Sequence, residues 1–272
     1  MNRFATTFVL ALSAVSSPLL VPAFAQDSAV SPISTERPGI GYSPDVIPGG
    51  SLQVEHGTGL NVQRKQFTAD LPENMIRLGF FDRFELRYQA SNALYTSQLT
   101  PGLSQWQTAD TQISGKALIG RPNTLVPRSA VLSLNLPTGG VSQTSGSYDP
   151  GAALIWTQAA RHGYSINEVA IAALTTMDGA RRPTWAPSVA VGKALNAKFA
   201  VFAECAPTVM QDDSVVWVVD GGFTMLRRQT QQLDLKSGYL KDSAGVHTLL
   251  SLGISMRRDN LFMLFRSAPI NR

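Results

Sequence analysis

Polar and apolar residues alternate along most of the chain after about residue 51. The clearest run is RFELRYQA, in which Arg83, Glu85, Arg87 and Gln89 fall on one side of an extended strand and Phe84, Leu86, Tyr88 and Ala90 on the other, because successive side chains of a strand point to opposite faces. The same period recurs in SAVLSLNLP, where Ala130, Leu132, Leu134 and Leu136 share a face, and in HTLLSLGISMRR, where Leu250, Leu252, Ile254 and Met256 do. Helical periodicity is hard to find. The pattern predicts about twelve strands, at about 51–62, 74–81, 83–92, 110–120, 128–136, 150–160, 163–174, 184–193, 197–206, 215–226, 228–239 and 246–257.

Short turns are expected at Asp82, at Arg161 to Gly163, at Leu195-Asn196 and at Arg227, with a slightly longer one at RPNTLV, and longer polar loops at about 63–73, 93–109, 137–149, 175–183, 207–214 and 240–245. Short turns at one end and long loops at the other are the mark of an outer-membrane barrel with both termini at the periplasmic end. Apolar faces of this length cross a bilayer at about 9–11 tilted residues per strand. The expectation is therefore an all-β fold, an antiparallel up-and-down transmembrane β-barrel of about twelve strands. In that phase the polar face lines the lumen with Arg77, Arg83, Glu85, Arg87, Lys116, Glu204, Asp220, Asp234 and Lys236, joined by Glu55 and Lys198. The two signs nearly balance, which suits either a wet pore of little ion selectivity or a salt-bridged, largely closed interior. Glu168 breaks the alternation of its strand.

The ends refine this picture. MNRFATTFVLALSAVSSPLLVPAFAQDS has a basic start, an apolar run and Ala23-Phe24-Ala25 before Gln26, the grammar of a secretory signal peptide over residues 1–25. Residues 26–50 are rich in Pro and Gly, show no strand pattern and carry Glu36-Arg37. Two readings stand side by side for this periplasmic segment: a plug folded back into the mouth, with Glu36 and Arg37 pairing lumen charges, or a loose leader. Residues 51–258 make the barrel and 259–272 a C-terminal tail, although the last strand either stops near 257 or takes in Phe262 to Phe265.

Composition excludes several functions. The net charge of +4 is modest and the basic residues are scattered, without the basic stripe and interleaved aromatics of a nucleic-acid binder. A lone Cys205 rules out an internal disulfide framework, and none of His56, His162 and His247 has a second ligand at metal spacing. No G-x-S-x-G occurs, and DGG at Asp220 to Gly222 is not followed by the Lys-Ser/Thr of a phosphate loop. No catalytic, cofactor-binding or metal-binding residue is expected, and no cofactor.

Several stretches together resemble a known family. They are STERPGIGYSPDVIPGGSLQVEHG, FFDRFELRYQ, ADTQISGKALIG, AVLSLNLPTGG, DPGAALIW and VDGGFTML, and they are similar to the meta-pathway phenol-degradation family of outer-membrane β-barrel proteins, often labelled simply as transporters. The resemblance covers nearly the whole mature chain and is carried chiefly by TERPG, LPTGG and DGG in that order. It implies a bacterial outer-membrane barrel that moves small molecules and brings no catalytic residue with it. The function expected is a non-enzymatic transporter or channel for small, aromatic or hydrophobic solutes. The alternative is a closed structural or interaction barrel. The partners expected are outer-membrane lipid, a small-molecule solute and the outer-membrane assembly machinery, with no nucleic acid.

Overall fold

The computed structural model describes residues 31–64, 66–98, 105–141, 143–177, 179–211 and 214–265. From Leu52 to Arg258 the chain is one antiparallel sheet closed on itself. It is built of fifteen extended segments, but three pairs of these run end to end against shared neighbours, so the wall has twelve strands. They are β1 (Leu52–Gln63), β2 (Gln66–Phe80), β3 (Phe84–Gln89, resumed at Ala93–Gln98), β4 (Gln105–Thr108, resumed at Thr111–Leu118), β5 (Ser129–Leu136) and β6 (Asp149–Ala159). The circuit continues with β7 (Tyr164–Met177), β8 (Ala180–Trp185, resumed at Ser188–Ala194), β9 (Phe199–Met210), β10 (Val215–Arg228), β11 (Gln231–Asp242) and β12 (Gly245–Arg258). Closure is made by β1, which pairs β2 on one side and β12 on the other, from Leu52 opposite Arg258 to Val62 opposite Thr248.

The alternation read from the sequence is the alternation of the wall. In β3, Glu85, Arg87 and Gln89 are buried and Phe84, Leu86 and Tyr88 exposed. Leu132, at 71% exposure, and Leu252, at 57%, stand on the same outer surface. A contiguous apolar exterior of this kind is what hydrocarbon covers and water does not. Exposed aromatics rim it at both ends. Trp106, Trp185, Trp217 and Tyr239 lie toward the end opposite the termini, and Phe81, Phe84, Tyr164 and Phe199 lie at the end where β1 starts and β12 finishes.

The strands reach further than their apolar patterns, which corrects the expected loop lengths. β2 begins at Gln66, not near 74, β9 runs to Met210 and β11 to Asp242. The loops expected at 63–73, 207–214 and 240–245 therefore shrink to a few residues, while the connection at 119–128, on the termini end, is among the longer ones. The reason is visible in β2. Asp70 and Glu73 read as loop because they are polar and three apart, yet both are lumen-facing residues of a strand whose register shifts opposite Gly57 and Gly59. A bulge breaks the period of two without ending the ladder.

After β12 the chain makes a short 3-10 turn, Met263–Phe265. Phe265 O accepts the Phe81 N–H at 2.7 Å and its ring lies 4.6 Å from that of Phe80. These aromatics close over the β2–β3 turn instead of extending the last strand.

Candidate functional site

Residues 31–50 lie inside the barrel. Their Pro- and Gly-rich sequence forms neither helix nor strand, so each buried N–H needs an acceptor from elsewhere. The wall supplies carboxylates. Glu55 on β1 accepts the N–H groups of Glu36 (2.9 Å) and Arg37 (3.1 Å), Glu85 on β3 that of Ile47 (2.9 Å), and Glu204 on β9 those of Ile40 and Gly41. The segment enters and leaves by the same mouth. At its start Arg257 on β12 donates to Ser31 O (2.6 Å), and at its end Gly49 N–H donates to Asp82 Oδ1 (2.7 Å) in the β2–β3 turn.

Two side chains fasten the loop. The Glu36 carboxylate is fully buried among Lys116 Nζ (3.1 Å), Arg77 Nη2 (3.4 Å) and Arg87 Nη2 (3.4 Å), and accepts the Ser43 N–H at 2.8 Å. Burial alone would raise its pKa. Arg87, Lys116 and Arg77, helped by that N–H, outweigh burial and hold it at about 2. Arg77 in turn bridges to Glu55 and Glu85, at 2.8 Å each. The Arg37 guanidinium reaches the other way, forming an ion pair with Glu73 on β2, donating to Ser251 Oγ (2.6 Å) on β12 and lying 3.5 Å from Asp234 on β11. It passes over Gly57 and Gly253, where a Cβ would overlap it. Those glycines are space for Arg37.

Between these anchors Tyr42 packs on Val131, Ala153, Ile155 and Val169 of β5 to β7, with Arg87 Cζ 4.7 Å from its ring centre. On the other side Ile40 packs against a second apolar patch of Val216, Val218 and Leu240, with Leu249 and Met210. Here the loop does not fill the barrel. A narrow cleft remains between it and the wall, lined by Ile40, Val218, Leu240 and Leu249 on its apolar side and by Arg37, Asp70, Glu73 and Lys236 on its polar side.

Comparison with known proteins places this architecture. Residues 35–257 match the family described as "Putative MetA-pathway of phenol degradation". The chain belongs to that family. The matched stretch begins within the inserted loop, so loop and wall belong to one family unit. No curated protein matches. Among solved structures, an outer membrane channel from Pseudomonas putida F1 is similar with a TM-score of 0.58 at 11% identity, over 79% of this chain and 98% of that one. The NanC porin gives 0.48 at 10% identity, over 75% of this chain and 98% of that one. The first likeness shows that the fold is that of an outer-membrane barrel.

The structure gathers most of the lumen residues expected from sequence. Arg77, Glu85, Arg87, Lys116 and Glu55 surround Glu36. Asp220 pairs with Lys236 at 3.3 Å, Asp234 faces Arg37, and Glu204 holds the loop backbone. Arg83 is a correction: it is exposed in the β2–β3 turn, where its N–H bonds to Phe80 O. The alternation carries it into phase with Glu85, but the strand starts one residue later, at Phe84. Lys198 likewise lies exposed in the turn before β9. Asp70, Glu73 and Tyr42 were missed. The first two sit in the stretch read as loop, and nothing local marks Tyr42 as the ring that will meet β5 to β7.

Proposed function

We propose that this protein is an outer-membrane channel for small solutes with an apolar or aromatic body, narrowed by its own residues 31–50. The observation that carries the reading is the lumen: a closed barrel with an apolar exterior holds a loop tied to its inner wall, and beside that loop keeps a cleft with one apolar side. A general porin needs a wet passage throughout. Here the loop and the Glu36 cluster interrupt it, and apolar stations take its place beside Ile40. In this reading residues 1–25 direct export, the assembly machinery inserts the barrel, and the mouth holding Ser31 and Asp82 faces the periplasm. Arg77, Glu85, Arg87 and Lys116 line the narrowest part with Glu36. Glu204, Asp220, Asp234 and Lys236 line the lumen on the β9–β11 side.

Proteoliposomes test the reading. Loaded with a neutral aryl glycoside that lipid alone retains, they should lose it faster than protein-free liposomes. Equal retention would favour a barrel closed by its own charges, with a structural or interaction role.

A further inference from the structure

The charge balance of the lumen differs between its two parts. Around Glu36, the carboxylates of Glu36, Glu55 and Glu85 meet the cations of Arg77, Arg87 and Lys116. The cleft is lined by Asp70 and Glu73 with Arg37 and Lys236, and the further carboxylates of Asp234, beside Arg37, and of Asp220 and Glu204, near Lys236, leave five acids to two cations. The near balance expected from sequence fails there because Asp70 and Glu73 belong to the wall and Lys198 lies outside it, in the turn before β9.

Asp70 is 5% exposed and lines the cleft. Its Oδ2 accepts Asn92 Nδ2 at 3.2 Å, its Oδ1 accepts from no donor, and the Glu73 carboxyl stands within hydrogen-bonding reach of it. The carboxylate oxygens of Asp234 on β11, 3.5 Å from Arg37, also lack hydrogen bonds. Buried carboxylate oxygens without partners are costly, and either a proton or a cation offsets that cost. Among the described residues no group of three His, Cys, Asp or Glu stands close enough to hold a metal ion. The facing wall of the cleft is apolar, with Val218, Leu240 and Leu249 beside Ile40. A ligand with a positive head and a compact apolar body matches both sides.

We propose that the cleft is a binding site for small organic cations, with the ammonium head set against Asp70 and Glu73 and the apolar or aromatic body against Val218, Leu240 and Leu249. The ammonium supplies donors to Asp70 Oδ1 and reduces the local acid surplus. A neutral ligand of the same shape keeps the apolar contact and loses the head, and a carboxylate of that shape adds to the surplus. The proposal deepens the channel reading by naming a solute class, and rests on it for the passage of that solute.

Calorimetric titration of the full-length protein in detergent, with benzylammonium, benzyl alcohol and benzoate, tests the site. Benzylammonium should bind more tightly than either of the others by about tenfold or more, and Asp70→Asn should remove the preference while benzyl alcohol binding stays. Equal binding of the three, a preference for benzoate, or a preference that survives Asp70→Asn would overturn the proposal. Should Asp70→Asn fail to fold, the three ligands on the unaltered protein decide it. Proteoliposomes that retain an aryl glycoside while the cation preference holds would sink the channel reading and leave the site. Release without a cation preference would do the reverse.

Discussion

Glu36 is the residue on which the inserted loop depends most. Its carboxylate is shared by three cations from β2, β3 and β4, and removing one member of such a buried set leaves the others uncompensated, at a cost of about 3–5 kcal/mol. Glu36→Gln should lower the stability of the folded barrel by about that amount, read as a lower midpoint of urea unfolding in detergent. The same group sets an acid limit. Its pKa is depressed from 4.5 to about 2, so its stabilising contribution, about 3 kcal/mol, is present above the unfolded value and is lost as pH falls from about 4.5 toward 2. Conductance should rise over that window in the native protein and rise less across it in Glu36→Gln, which keeps the other carboxylates that hold the loop. Glu36 and Arg37 were legible as candidates because they are adjacent charges in a segment otherwise made of Pro, Gly and small residues. Their partners were not, since Glu36–Lys116 and Arg37–Ser251 contacts join positions far apart in the chain.

At the scale of the strand, what the sequence shows is phase, and what it hides is extent. Period-two alternation places Leu86 outward and Gln89 inward in β3, and the structure has Leu86 51% exposed and Gln89 buried. Leu86 stands two residues from the rim aromatic Phe84, so Leu86→Arg should cost about 1 kcal/mol, less than a charge at the bilayer midplane, whereas Gln89→Leu should be milder still; unfolding of the two variants from lipid vesicles compares them, and a larger cost for Gln89→Leu would contradict the outward assignment. The ends of β2, β9 and β11 escaped the pattern for a physical reason. A strand that faces a polar loop inside the barrel carries polar residues on its inner face, and a bulge such as the one at Gly57 and Gly59 interrupts the period that would otherwise reveal it. Arg83 shows the opposite error, an alternation that continues one residue past the strand.

For the whole molecule, the barrel is the container and residues 31–50 are most of its contents. A small barrel fills its interior with its own side chains. This one leaves room and fills it with a segment of irregular backbone, using Glu55, Glu85 and Glu204 as acceptors for N–H groups that no strand pairs. That use of lumen carboxylates could not be read from sequence, where the same residues suit a wet pore as well as a salt-bridged one. Single-channel conductance in planar bilayers tests the central claim, that this loop restricts the passage. The full-length protein should give small steps, and a variant lacking residues 31–48, verified as a folded barrel by circular dichroism, should give steps several-fold larger. Identical conductance in the two would contradict the account.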